Sequence, residues 1–328
     1  SLHASFRYIT ILPFSRYVFA ASNFPEIKQH AGTIDVELQM IKPVPQYFTH
    51  EFVKDKLTNS RMEMLSKALQ RATGDGISLN TDAKSTALLQ KSLIDASRFG
   101  DNYQFLSLWT RQGHYYIYAL AALLVLLAML QPLLSRKKTA AAFPPLTAVA
   151  LCGTAGIMLE ITLMSTYQSR FGELYQMLGA MLAAYMAGLG TGAYAVFRLL
   201  EIRPVSPRKS LIAALLLLCG MLASIAFFLH FGILQSDSAS TGLFFIVLLF
   251  AAAALSGAVF MLASILLNRD DNEKHAFKAG LLAAADHVLP ALVSASLSIL
   301  VLPVIGAVHT TALAAALCLS AAFSNLGK

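Results

Sequence analysis

Seven long apolar stretches occupy the chain from Tyr115 to its C-terminal end, and they constrain the fold more than any other feature. The first of them, Tyr115 to Leu134, carries no charged residue over a length that is sufficient to cross a bilayer. Because lipid offers no partner for a free backbone N–H or C=O group, such stretches cross as helices. The sequence therefore predicts an integral membrane protein.

The distribution of charge divides the chain into two regions. Of its 328 residues 56% are hydrophobic and 13% are charged, yet residues 1–114 carry slightly more than half of the charged residues and contain no spanning run. We predict a polar α/β region at residues 1–114 and an integral membrane domain at residues 115–328. Basic residues at cytoplasmic helix ends are sufficient to explain the net charge of +7, so we expect no nucleic acid as a partner.

The predicted fold class is mainly α, with a bundle of about seven membrane helices. The lipid bilayer is therefore the first predicted partner of the chain. The predicted spans are Tyr115 to Leu134, Pro144 to Thr166, Leu174 to Leu200, Leu211 to Phe231, Gly242 to Leu267, Phe277 to Pro303 and Ile305 to Phe323.

Basic residues are concentrated in alternate loops, which predicts the orientation of the bundle. The opposite loops contain only Arg170, which follows the second span. This pattern predicts that the C-terminus lies inside the cell and residues 1–114 outside. The basic loops contain Arg136, Lys137, Lys138, Arg198, Arg203, Arg208, Lys209, Arg269, Lys274 and Lys278.

Two acids, Glu160 and Asp286, fall inside the predicted spans. An ionisable group at membrane depth is costly unless it is paired, so it is a candidate for a functional site. Gln168, Tyr185 and His309 are further polar candidates, and Glu160 and His309 lie about two turns and one turn from the same membrane face. We predict that these two side chains meet.

These five residues leave three interpretations open. They form a buried polar network that fixes helix register, they line a path for a cation or proton, or they are simply exposed near the interface. The second interpretation makes them binding residues for a cationic small molecule. We predict no metal ligands among them.

Small residues recur every four positions in the third predicted span, at Ala180, Ala184, Gly188 and Gly192. Such a stripe lets another helix backbone approach closely, so we predict a helix-packing surface. The cysteines Cys152, Cys219 and Cys318 all lie in predicted spans without a pairing pattern. We therefore interpret them as packing residues and expect no disulfide.

The polar region begins with two segments that are rich in aromatic and β-branched residues, Phe6 to Leu12 and Arg16 to Ala21. Pro13 to Ser15 separates them, which predicts two strands joined by a short turn. Helix signals follow in the capping-box pattern Ser60 to Glu63 and in the cap Asn80 to Asp82. About 114 residues with so few elements make a small core, which indicates the end of a domain that begins upstream.

Several short motifs follow one another along both regions of the chain, namely Leu12 to Ser22, Leu57 to Arg61, Leu79 to Asp82, Leu159 to Glu160, Tyr167 to Gln168, Gly172 to Tyr175, Met186 to Leu189, Ala284 to Asp286 and Leu302 to Gly306. Their order resembles a family, the membrane-fused spermidine synthase-like proteins of bacteria. Lys84 and Ser85 depart from the pattern, because an arginine and a proline would follow the third motif in that family.

This resemblance implies that residues 1–114 are the C-terminal remnant of a Rossmann-like aminopropyltransferase domain, and that the protein lies in the bacterial cytoplasmic membrane. The family's enzymatic domain would bind decarboxylated S-adenosylmethionine at a glycine-rich turn after its first strand. That motif is absent here, since the pair Gly74 and Gly76 follows a predicted helix. We therefore assign no catalytic residue and no cofactor to this chain, and we expect an upstream synthase-like domain as its partner.

Three functions follow as alternatives. The leading expectation is the membrane-anchored C-terminal portion of a spermidine synthase-like protein, which belongs to polyamine biosynthesis and is inactive as a transferase by itself. The second is half of a secondary transporter for a small cation, with Glu160 and Asp286 as its binding or relay groups. The third is a purely structural membrane anchor.

Overall fold

A computed structural model describes residues 7–13, 17–23, 103–134, 143–171, 175–202, 205–232, 239–268 and 275–326, together with scattered positions between residues 54 and 96. The chain divides into two compact units, Ser1–Asn80 and Thr81–Lys328. The division falls before the predicted boundary at residue 114, because the helix that contains this boundary packs with the membrane bundle.

The first unit contains an antiparallel strand pair. Strand β1 is Tyr8–Pro13 and strand β2 is Tyr17–Ser22, with Tyr8 paired to Ser22 and Pro13 to Tyr17. Each strand is displaced by one or two residues from its predicted position. The Rossmann-like origin of this pair stays a prediction, and the predicted cap Asn80 to Asp82 lies outside the described residues.

The second unit is helical throughout its long described segments. A π-helical turn, Leu297–Val301, connects the last two helices. The helices are α1 (Tyr103–Leu134), α2 (Phe143–Phe171), α3 (Tyr175–Ile202), α4 (Pro207–His230), α5 (Ala239–Asn268), α6 (His275–Ser296) and α7 (Leu302–Ser324).

Five helices among the described residues are long and apolar enough to cross a membrane. They confirm the prediction of a multi-pass membrane protein, whereas the count of seven spans stays a prediction. The five segments are Pro144–Ser169, Tyr175–Ile202, Pro207–His230, Gly242–Asn268 and Ala276–Ser324.

The last of these segments, Ala276–Ser324, contains a break. It is 49 residues long, and a continuous helix of that length would measure about 74 Å, more than twice the thickness of the hydrocarbon core. Gly306 interrupts it with φ 78° and ψ 170°, a conformation that L side chains rarely adopt. The break lies two residues beyond Val304, where the sequence predicts a tight turn between two spans.

Helix α2 lies at the centre of the bundle. It contacts α5, α6 and α7, and 67% of its most apolar window is buried, compared with 22% for α3. The side chains of Ala148, Leu159 and Leu163 on α2 are fully buried. Glu160 follows Leu159 on this helix and is likewise buried.

Helices α3 and α5 pack with their backbones in close contact. A Cβ atom on Gly188 or Gly192 of α3 would collide with the backbone of α5, and a Cβ on Gly257 of α5 would collide with Leu189. The predicted stripe of small residues thus supplies two residues of this contact. Of the other two residues of the predicted stripe, Ala184 is half-buried and Ala180 is exposed.

A hydrogen bond from the indole group of Trp109 joins α1 to the turn that follows α6. The Nε1–H of Trp109 donates a hydrogen bond of 2.9 Å to the carbonyl oxygen of Leu300 in the π-helical turn. A π-helical turn disturbs the regular i to i−4 hydrogen-bonding pattern, so a side-chain donor can satisfy a carbonyl there. This bond joins α1 to the irregular part of the bundle.

Candidate functional site

A cavity of about 520 Å³ lies between α2, α3, α5 and α6. Its wall is largely apolar, with Ile157, Leu189 and Phe260 among the residues that form it. Five side chains contribute oxygen atoms to this wall, namely Glu160 from α2, Tyr185 from α3, Ser256 from α5, and Asp286 and Ser294 from α6. The bundle therefore brings both predicted acids, which are 126 residues apart in the sequence, to one cavity.

Glu160 is the most deeply enclosed acid of the cavity. The residue is only 5% exposed, and no described residue donates a hydrogen bond to its carboxyl group. Burying a carboxylate without a partner costs several kcal/mol, roughly, so a group of this kind is seldom kept for packing alone. Glu160 is consequently the strongest single indication of a binding site in the described part of the chain.

The hydroxyl group of Tyr185 lies against α2. It is 2.6 Å from the point that a Cβ atom on Gly156 would occupy. The absence of a side chain at Gly156 is therefore what admits the hydroxyl against α2. Among the described residues, none forms a hydrogen bond with this buried hydroxyl group.

Asp286 lies against a second glycine of α2. Its Oδ1 atom is 2.9 Å, and its main-chain oxygen 3.3 Å, from the point that a Cβ on Gly153 would occupy. Its Oδ2 atom is 3.6 Å from Nδ1 of His287, whose side chain is mostly exposed. Asp286 thus directs one carboxylate oxygen and its own carbonyl toward α2, and its other carboxylate oxygen toward His287.

The two glycines and Glu160 share one face of α2. Gly153, Gly156 and Glu160 are separated by three and four residues, which is the spacing of neighbours on a helix surface. Sequence reasoning identified Glu160 but missed both glycines, Ser256 and Pro290. The pattern Gly153-x-x-Gly156-x-x-x-Glu160 was the signal that could have found the glycines, because small residues on the face of a buried acid leave space beside it.

The structure places two of the predicted binding residues elsewhere. Gln168 is exposed near the C-terminal end of α2 and is not part of the cavity wall. His309 is also exposed, with its Nδ1 atom 2.9 Å from the carbonyl oxygen of Ile305 and its ring 6.4 Å from the ring of Tyr118. The predicted meeting of Glu160 with His309 is therefore replaced by the grouping of Glu160 with Tyr185 and Asp286.

The cysteines occupy packing positions, although one of them reaches the cavity. Cys152 and Cys318 are buried, Cys219 is half-buried, and all three are free thiols. Cys152 forms part of the cavity wall one residue before Gly153. A thiol at that position adds little polarity compared with the carboxylates, so we do not include it among the charged groups of the site.

The cavity is suited to positive charge. The described residues of its wall include two carboxyl groups and one imidazole, that of His287, but neither lysine nor arginine. Within the described ranges, no group of three or more His, Cys, Asp or Glu side chains could hold a metal ion. Carboxylate, hydroxyl and carbonyl oxygens in a mainly apolar wall favour an ion or ligand that carries one or two positive charges.

No protein-family model matches the chain, and no curated protein or solved structure matches it either.

Proposed function

We propose that the helical bundle binds a cationic small molecule at Glu160, in the cavity that Tyr185 and Asp286 also line. The observation that carries this proposal is the carboxyl group of Glu160, which is 5% exposed and receives no hydrogen bond from a described residue. A cation supplies the missing counter-charge, and its binding offsets the cost of keeping a carboxylate in the bundle.

The resemblance to membrane-fused spermidine synthase-like proteins extends this proposal to the whole protein. In that interpretation the chain is the C-terminal, membrane-anchored portion of such a protein, and the cation is a polyamine or a related amine. Decarboxylated S-adenosylmethionine would belong to an upstream domain. We expect residues 1–328 alone to transfer no aminopropyl group to putrescine, since the chain has no glycine-rich turn after a strand.

A secondary transporter is the second candidate, and the irregular course of α6 and α7 favours it. Pro290 lies inside α6, a π-helical turn follows at Leu297–Val301, and Gly306 breaks the next helix. Many transporters bind substrate and ions at discontinuous helices of this kind, near the middle of the membrane. Both candidates use the same cavity, but only the transporter moves its ligand across the bilayer.

Thermal unfolding in detergent tests the proposed cation site. The purified chain is titrated with spermidine, putrescine or a monoamine, and we expect a rise in melting temperature because a ligand that binds only the native state stabilises it. Glu160→Gln should unfold like the parent without ligand but lose most of this rise. The matched control is Glu201→Gln, which removes an exposed carboxylate that pairs with Arg198.

An identical rise in the parent and in Glu160→Gln would contradict the proposal. Uptake measurements in proteoliposomes then distinguish the two candidates. Movement of labelled amine into vesicles, abolished by Glu160→Gln, would support the transporter. Binding without uptake would support the membrane-anchored spermidine synthase-like protein.

A further inference from the structure

The main-chain oxygen of Asp286 lacks the hydrogen bond that a regular α-helix would provide. In an α-helix the carbonyl of residue 286 accepts a hydrogen bond from the N–H of residue 290. Residue 290 is a proline inside α6, and proline has no N–H group. The Pro290 ring also lies close to α2, with Cγ 3.2 Å from the Cβ position of Gly153. The proline therefore removes the regular donor just where α6 meets α2.

The carbonyl and the carboxylate of Asp286 approach α2 at the same place. Oδ1 and the main-chain oxygen lie 2.9 and 3.3 Å from the Cβ position of Gly153, so both are adjacent to the space that a side chain would fill. One turn further along the same face, the Tyr185 hydroxyl lies against Gly156. Cβ positions three residues apart on a helix are separated by about 5–6 Å. Oxygen atoms from α6 and from α3 therefore lie against neighbouring turns of one face of α2, and Gly153, Tyr185 and Asp286 all form part of the cavity wall.

We propose that the part of the cavity beside Asp286 is a binding site for an alkali-metal cation such as Na⁺, whereas the organic cation of the proposed function is held by the carboxyl group of Glu160. Oδ1 and the main-chain oxygen of Asp286 are its principal ligands, and the Tyr185 hydroxyl completes the protein side of the site. The inference rests on the proposed function, because it places a second cation in the same cavity.

The ligand set favours a singly charged ion. It contains one carboxylate, which balances a single positive charge, and two neutral oxygens, which add no further charge. The Oδ2 atom of Asp286 lies 3.6 Å from Nδ1 of His287, which leaves Oδ1 for the cavity side. A carbonyl beside a helix interruption is also a recurrent ligand for Na⁺ in membrane proteins.

Binding of labelled Na⁺ to the full chain in detergent, with N-methylglucamine as the replacing cation, tests the site. Pro290→Ala restores an N–H donor for the carbonyl but retains both acids, and Asp286→Asn removes the carboxylate charge. Each should weaken Na⁺ binding by about tenfold or more. The matched control is Pro303→Ala, which changes a proline in the first turn of α7 and outside the cavity wall, and it should bind Na⁺ like the parent.

Because Pro290→Ala can also change the shape of α6, a third variant tests the site without altering that helix. Gly153→Ala places a methyl group against both Asp286 oxygens, and it should reduce Na⁺ binding without changing any charged group. Parent-like Na⁺ binding in Pro290→Ala, Asp286→Asn and Gly153→Ala would overturn the inference. Failure of the proposed function has a different signature. It is a rise in melting temperature with amine that persists in Glu160→Gln, whereas failure of this inference is Na⁺ binding that persists in these three variants.

Discussion

The hydroxyl oxygen of Tyr185 lies 2.6 Å from the point at which a Cβ atom on Gly156 would stand. Real Cβ atoms do not approach an oxygen so closely, so the position of this hydroxyl depends on a glycine in the opposite helix. The same relationship recurs one turn earlier between Asp286 and Gly153. The two glycines therefore determine how closely the polar groups of α3 and α6 approach the face of α2 that carries Glu160.

Gly156→Ala should consequently displace Tyr185 and destabilise the bundle by about 1–3 kcal/mol, as expected for overpacking of a close contact. We expect a lower midpoint of thermal unfolding and a weaker response to added amine. Gly220→Ala on α4 is the matched control, because its Cβ would meet nothing within 4 Å. Equal unfolding midpoints for the two variants would show that Tyr185 moves aside without cost.

Gly192→Ala should be more damaging than Gly156→Ala. Its Cβ would collide with the backbone of Ala254, and a backbone cannot change rotamer as a side chain can. We expect a loss of about 2 kcal/mol or more and separation of α3 from α5. Gly190→Ala, two residues earlier with open space around it, should retain parental stability in the same unfolding measurement. Parental stability of the Gly192→Ala variant would contradict the observed packing of α3 on α5.

Glu160→Leu separates a binding role from a structural one. If the carboxyl group only fixes helix register, its removal lowers stability. Because no described residue donates a hydrogen bond to it, we expect the opposite result. The apolar side chain should maintain or raise the melting temperature without ligand, since the buried charge is removed, and should abolish the response to amines. A large fall in melting temperature would support the structural interpretation.

The predicted orientation of the spans is tested by labelling. In a variant without the three natural cysteines, single cysteines are introduced near Lys137, at Lys209 and at Ser238. An impermeant thiol reagent should leave the first two unlabelled in intact cells and should label the third, because positively charged loops remain in the cytoplasm. Equal labelling of all three, or the inverse pattern, would exclude a C-terminus inside the cell.

Part of the candidate site could be predicted from the sequence. Glu160, Tyr185 and Asp286 were recognisable because an ionisable or polar group within an apolar run is exceptional in any membrane helix. Gln168 and His309 met the same criterion, yet they lie outside the cavity wall. Whether a polar residue reaches the cavity depends on the rotation and tilt of its helix. Hydropathy records only composition along the chain, so it predicts neither rotation nor tilt.

The sequence by itself determined that the chain is a multi-pass membrane protein, because length and hydropathy are local properties that decide whether a helix can cross lipid. It also indicated the break near Val304 and the polar residues at membrane depth. Only the tertiary structure decided that Gly153 faces Asp286, that Gly156 faces Tyr185, and that both acids reach one cavity. These contacts join residues far apart in sequence, so they depend on how whole helices pack against one another.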